Sequence, residues 1–327
     1  MKKKILSLVL ALALTGAFLA GCKQSGGTTS PTDAPSSEEQ TKLPELPEFD
    51  RYEDGVPVIT VYNTASQEEE DMNLEDYVAG VLAGEMRNDW PMEALRAQAI
   101  LARTFTLKFI SEKESIYPFA DISTDVTEAQ AYDADAVNDR VRRAVEQTRG
   151  EVMSYQGELP YAWFHAHSAG KTELASAALH YESDPPYIQS VESRESDLAP
   201  TNVKNWTATF SADEVLSAAR QTGAALDKLE TIELGDRGDS GRVIDLLING
   251  ERVNAADLRV QLDSTRLKST MLSQVSLRDG KVTFTGSGYG HGVGLSQWGA
   301  YQMASEGQTG EDIIHHYFNQ IDIVKVW

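Results

Sequence analysis

From residue 57 onward, apolar residues recur with two periods along the chain. Residues 57–63, PVITVYN, make an apolar run of strand length. Asn73 then stands where a helix N-cap is expected, with Asp76 three residues on. Leu74, Tyr77, Val78, Val81 and Leu82 follow at helical spacing, which predicts a helix over 74–87 with one apolar face. Glu85 continues the same series, so a carboxyl group falls on that face. A second, alanine-rich helix is predicted to start near Pro91 and run through 93–109. A third is predicted over 135–149, with Val137, Val141, Ala144 and Val145 on one side and Gly150 as its C-terminal stop.

Two strands, 151–155 and 159–166, are predicted around a Gln156–Gly157 turn. Ser211 and Glu214 are spaced as a capping box. Strands are predicted within 230–253 about an Asn249–Gly250 hairpin, and another at 281–285. Helices near 296–306 and from Thr309, then a strand at 321–327, complete the pattern. Helices and strands mix without regular β-α-β alternation, and no internal repeat appears, so the expected class is α+β: mixed helices and antiparallel strands in one large domain over 47–327.

The first 46 residues carry a different message. Lys2, Lys3 and Lys4 precede an apolar run from Ile5 to Ala20, which ends in Leu19-Ala20-Gly21-Cys22. A basic start, a short apolar core and small residues before a cysteine describe a signal peptide over 1–21 with lipidation at Cys22. Cys22 is the only cysteine, which excludes an intrachain disulfide. Residues 22–46 are rich in Gly, Ser, Thr, Pro and Glu and read as a flexible tether. The expected location is extracytoplasmic, on the outer face of the cytoplasmic membrane, held by the lipid.

Charge narrows the partners. The formal net charge is −21, and more negative once the three N-terminal lysines are removed. Such acidity argues against nucleic acid, anionic lipid or a polyanionic wall polymer as the ligand, and leaves a neutral glycan compatible.

Three segments carry candidate chemistry. Glu85 on an apolar face should have a raised pKa, as a glycosidase acid requires. The position equally suits a salt-bridged glutamate at a helix end, with Arg87 or Arg103 as partner. Gln98 and Arg103 lie on the second helix, and Arg103 suits sugar hydroxyls, the Glu85 carboxylate or a plain helix surface. In residues 164–173, FHAHSAGKTE, His165 and His167 share a strand face but lack the further ligands a metal needs, so sugar contacts or loop-stabilising hydrogen bonds are expected instead. In residues 286–294, GSGYGHGVG, five glycines alternate over nine positions, without the spacing of a phosphate-binding loop. His291, Ser296, Gln297 and Trp298 cluster at its end, and an indole among hydroxyl-binding groups suits a saccharide.

Together these residues resemble the stage II sporulation protein D family, also called SpoIID/LytB. The resemblance rests on Asp76–Val81, Ala83–Met86, Trp90-Pro91, Glu93–Ala99, Ala102-Arg103-Thr104, Phe164-His165, Ser168, Gly170, Thr172-Glu173, Ser240-Gly241-Arg242, Lys268-Ser269-Thr270 and Gly288–Ala300, in order from about residue 55 to 327. It implies a lytic transglycosylase acting on peptidoglycan glycan strands, especially those stripped of stem peptides. It implies Glu85 as the catalytic acid and base. The substrate-binding residues expected with it are Arg103, Gln98, His165, Ser168, Lys171, Lys268, Ser269, Tyr289, His291, Ser296, Gln297 and Trp298. Some relatives bind zinc through Cys and His before a Gln-x-Tyr; residues 123–132 lack those ligands, so no metal or other cofactor is expected. His167 and Ala169 depart from the usual histidine loop, and a lipid anchor replaces the usual membrane-spanning helix. The competing readings are a wall-binding activator of a peptidoglycan amidase and a solute-binding lipoprotein.

Overall fold

The computed structural model describes residues 42–327, so the signal segment, Cys22 and the first part of the tether lie outside the described residues. Pro44 is buried, and Leu46 packs against the main core, so the stretch just before residue 47 lies on the domain. No helix among the described residues is long and apolar enough to cross a membrane.

The main core forms around one helix, Met92–Glu112. It buries Leu95, Leu101 and Leu107 together with Ala94, Ala97, Ala99 and Ala102. Residues this small let neighbouring backbones approach closely. The helices Leu74–Glu85, Asp139–Gln147, Gln297–Ser305 and Gly310–Tyr317 all pack on it. A central helix covered on most sides loses its polar stripe, which is why its sequence reads as alanine-rich rather than sharply amphipathic.

Short sheets frame this bundle. Val56–Asn63 pairs antiparallel with Tyr52–Glu53 and Glu68–Asn73, and parallel with Ile122–Ser123. Glu151–Ser154 pairs antiparallel with Asp322–Lys325, which returns the C-terminal strand to the middle of the chain. Phe164–His165 pairs parallel with Leu295–Ser296 and so brings the histidine segment beside the glycine-rich segment. A second core gathers Trp206, Phe210, Leu246, Ile248, Leu258, Val282 and Phe284. It lies between the strands 206–211, 281–286 and 272–278, the three-stranded sheet 232–234, 245–248 and 251–254, and the helices Ala212–Gln221 and Ala255–Leu262.

The class is α+β, as expected. Both predicted caps form: Asn73 accepts from Glu75 N–H, and Ser211 and Glu214 make a reciprocal capping box. The hairpin at Asn249–Gly250 forms with both residues at positive φ. Two expectations fail. The third helix starts at Asp139, because the Asn138 side chain accepts from Arg140 and Val141 N–H and caps it there. The predicted strand 159–166 reduces to Phe164–His165. Pro160 has no N–H to give a ladder, and the preceding strand already holds Asp322–Lys325 as its partner. Only the Tyr155–Glu158 bridge survives of that hairpin.

Candidate active site

Glu85 is the last residue of the first helix, whose face buries Leu74, Tyr77, Val78, Val81 and Leu82. The backbone leaves the helix at Met86 with φ −125° and ψ 150°. The residue before it is glycine for a packing reason: a Cβ on Gly84 would sit 2.7 Å from both C and O of Ala131. The segment around Ala131 therefore lies directly against the helix end. From there Ala131 N–H donates to Glu85 Oε1 over 2.7 Å. On the other side Gln297, first residue of its helix, places Nε2 3.4 Å from Glu85 Oε2.

Burial pushes the Glu85 carboxyl above its ordinary pKa, against the lowering pull of those two donors. Oε1 is committed to a backbone donor, so Oε2 is the oxygen able to carry and return a proton. Glu85 opens on a cleft of about 470 Å³, walled by Gly84, Gln130, Trp163, His165, Tyr289, His291 and Gln297 among others. Among the described residues, no other carboxylate lines it.

The two cleft histidines present opposite faces. His165 Nδ1 lies 3.1 Å from Val293 O, which fixes the proton on Nδ1 and leaves Nε2 an acceptor. His291 Nδ1 accepts from Val293 N–H over 3.0 Å, which fixes its proton on Nε2. Both stay neutral: burial depresses His165 well below the ordinary value and takes His291 down to about 3. The glycines let this loop close on its supports. Gly290 has φ +104°, and a Cβ there would lie 2.6 Å from that of His165. Gly292 has φ +94°, and a Cβ would strike the guanidinium of Arg242. Arg242 is fully buried and donates to Ser168 O over 2.8 Å and Lys171 O over 3.0 Å. Its burial lowers its pKa to about 10.

Five predicted residues meet at the cleft: Glu85, His165, Tyr289, His291 and Gln297. Others lie elsewhere. Arg103 is fully buried and clamps Glu75 through Nε (3.1 Å) and Nη2 (2.5 Å), with Nη1 donating to Glu151 O over 2.9 Å. Glu75 also accepts from Gly150 N–H (3.0 Å) and Trp327 Nε1 (2.9 Å), so Glu75 ties the C-terminus to the first helix and Arg103, away from the cleft wall, holds Glu75 in place. Gln98 is fully buried inside the long helix and absent from the cleft wall. Ser168 and Ser296 both donate to Glu195, and Ser269 donates to Ser287 O over 2.6 Å, so these hydroxyls fix loops. Lys171 reaches Asp239 O, and Lys268 reaches Asn202 O while lying 5.6 Å from the Tyr289 ring. Trp298 packs on Trp90 at 4.5 Å and lines a separate pocket with Arg87 and Tyr301. Among the described residues, no group of three or more His, Cys, Asp or Glu is arranged to hold a metal.

Sequence reasoning missed Gln130, Phe105 and Trp163 as cleft residues, and Glu195 as the hub of the serines. Gln130 was legible only as part of the Gln-x-Tyr stretch; nothing local marks Glu195.

Comparison with known proteins places this geometry. A family model described as stage II sporulation protein matches residues 62–155, which hold both the Glu85 helix and the Ala131 segment. Stage II sporulation protein D of Bacillus subtilis is 32% identical over 279 residues, 81% of this chain and 78% of that protein. The chain belongs to the stage II sporulation protein D family. An uncharacterised protein of Brachyspira hyodysenteriae is 33% identical over 264 residues, 80% of this chain and 70% of its own length. The amidase enhancer of Bacillus subtilis is 28% identical over 286 residues, 73% of this chain but 39% of that protein. A second family model, a domain of unknown function, matches residues 173–294, the part of this family member that supplies Arg242 and most of the glycine-rich loop.

Proposed function

We propose that this member of the stage II sporulation protein D family is a peptidoglycan lytic transglycosylase with Glu85 as its single acid and base. The observation that carries the reading is a half-buried carboxyl with a raised pKa that lines its cleft without a second carboxylate among the described residues. Hydrolytic glycosidases generally need two carboxyl groups, one to protonate the leaving oxygen and one to activate water or attack the sugar. An intramolecular reaction needs one. Glu85 gives its proton to the oxygen linking N-acetylmuramic acid to N-acetylglucosamine. The C1–O bond breaks, and its electrons pass to the leaving oxygen. The C6 hydroxyl oxygen of the muramic acid then bonds to C1, and its proton returns to Glu85. The enzyme is regenerated, no water is consumed, and the product ends in a 1,6-anhydro ring. Gln297 and Tyr289, which line the cleft, offer an amide and a phenol to the hydroxyl and acetamido groups of such a sugar.

The likeness to an amidase enhancer supports a second reading, a wall-binding activator of a peptidoglycan amidase. One experiment separates the two. Stem-free and intact glycan strands are incubated with residues 42–327 and with Glu85→Gln, with and without an amidase. Anhydro-ended fragments from the wild type but not from Glu85→Gln support the enzyme. No fragments from either protein, with the amidase stimulated equally by both, replace it with the activator. The same proposal puts the domain outside the cytoplasmic membrane on a lipid at Cys22; incorporation of labelled fatty acid that Cys22→Ser fails to abolish would exclude that anchor.

A further inference from the structure

A second pocket lies beside the Glu85 cleft. Phe105, Ala162 and Trp163 line the cleft on one side and this second pocket, of about 220 Å³, on the other. Aromatic rings build that second pocket. Tyr161 and Trp163 stack at 4.9 Å with their planes 12° apart. Tyr181 stands edge-on to both, at 5.6 and 5.3 Å, and is 36% exposed. Two lysines guard it. Lys108 lies 4.8 Å from the Tyr161 ring and is paired with Glu112 at 2.7 Å. Lys113 is exposed, lines the same pocket, and has no ion-pair partner among the described residues. A local excess of positive charge is out of keeping with a chain of net charge −21.

We propose that this aromatic pocket is a distal sugar subsite of the Glu85 cleft, taking an N-acetylmuramic acid whose lactyl carboxylate faces Lys113. The proposal rests on the glycan reading above and adds where the strand runs. The apolar CH face of a pyranose matches an aromatic wall, and the acetamido group matches the polar rim. The shared wall argues for the occupant: a glycan lying across Glu85 and passing over Trp163 reaches these rings next. A muramic acid without its stem peptide carries a carboxylate on the lactyl ether, and an unpaired lysine is a fitting partner for it. A stem peptide would cap that carboxylate as an amide and remove the attraction.

The test measures binding without turnover. In the Glu85→Gln background, isothermal titration follows stem-free peptidoglycan glycans of short and long chain length, and N-acetylglucosamine oligomers of matched length, which lack the lactyl group. The long stem-free glycan should bind tighter than the short one. Tyr181→Ala should weaken the long ligand about tenfold, the order of a lost aromatic contact, and leave the short one unchanged. Lys113→Ala should weaken the long stem-free glycan and leave the matched oligomer unchanged. Lys113 is exposed, so its loss should not move the melting temperature; Tyr181→Ala gives up two ring contacts, so its affinity is read on the folded fraction, with the melting temperature measured alongside. Long-glycan affinity unmoved by Tyr181→Ala overturns the subsite. Equal effects of Lys113→Ala on both ligands overturn the carboxylate contact. A chain that binds long glycans in this pattern yet releases no anhydro products keeps the subsite and loses the catalytic reading instead.

Discussion

Ala131 N–H donates to Glu85 Oε1 over 2.7 Å, and it can do so because Gly84 leaves no side chain between the helix and the Ala131 backbone. The Glu85 carboxyl is thus oriented by a backbone donor from a segment far along the chain. Its second oxygen is left for proton transfer.

Glu85→Gln keeps the size of the side chain and removes the proton it exchanges. Glycan cleavage should fall by roughly a thousandfold, within the usual span for loss of a general acid. Glycan binding and the melting temperature should hold. A variant with more than a tenth of wild-type turnover would assign the chemistry to another group.

Under the proposed mechanism, acidity should govern turnover through one group. His165 and His291 remain neutral through the physiological range, held down by burial, so neither sets a limb there. The raised pKa of Glu85 then makes kcat/KM fall as pH rises through that value, since the free enzyme must hold the proton. The same shift has a stability counterpart. Between the ordinary 4.5 and the raised folded value, the folded protein binds more protons than the unfolded chain. Stability from this group therefore declines as pH rises across that window and levels above it. In denaturant titrations the stability of the wild type should decline relative to Glu85→Gln across that window.

Gly84→Ala inserts a methyl group 2.7 Å from the Ala131 carbonyl carbon and oxygen. The backbone must retreat, and overpacking of this kind costs about 1–3 kcal/mol. Retreat also draws the Ala131 N–H away from Glu85. Turnover measured on the folded fraction should drop at least tenfold. Unchanged turnover would mean that the Ala131 contact does not orient the acid.

Arg103 offers the contrast. Its side chain is 0% exposed and its partner Glu75 11%, so Arg103→Ala leaves a mostly buried carboxylate without its cation. The expected loss is about 3–5 kcal/mol. Arg103→Lys keeps the charge but not the fork, and should destabilise less while leaving KM unchanged. A raised KM at unchanged stability would return Arg103 to the substrate.

What the sequence disclosed depended on range. The first helix, its Asn73 cap and the position of Glu85 follow from residues within two turns of one another, and they stand as read. The acidic strand Glu68–Asn73 escaped notice because its pairing with Val56–Asn63 supplies the order while, Met72 apart, its side chains add little to the core. The apolar run 159–166 misled, since its rings line pockets and core rather than a ladder. Arg103 and Ser168 sit within recognisable motifs, yet their partners, Glu75 and Glu195, lie 28 and 27 residues away. A motif marks such residues without saying whether they touch a ligand or hold the chain together. The Gln297 contact with Glu85 spans 212 residues, and only the fold brings it about.

The most direct measurement is cleavage of stem-free glycan in oxygen-18 water, with mass spectrometry of the new muramic acid ends. Ring closure by the C6 hydroxyl predicts anhydro ends with no heavy oxygen, absent when Glu85 is replaced by Gln. Ends carrying one oxygen-18 would mean that water attacks C1, and would contradict a single-carboxyl transglycosylase.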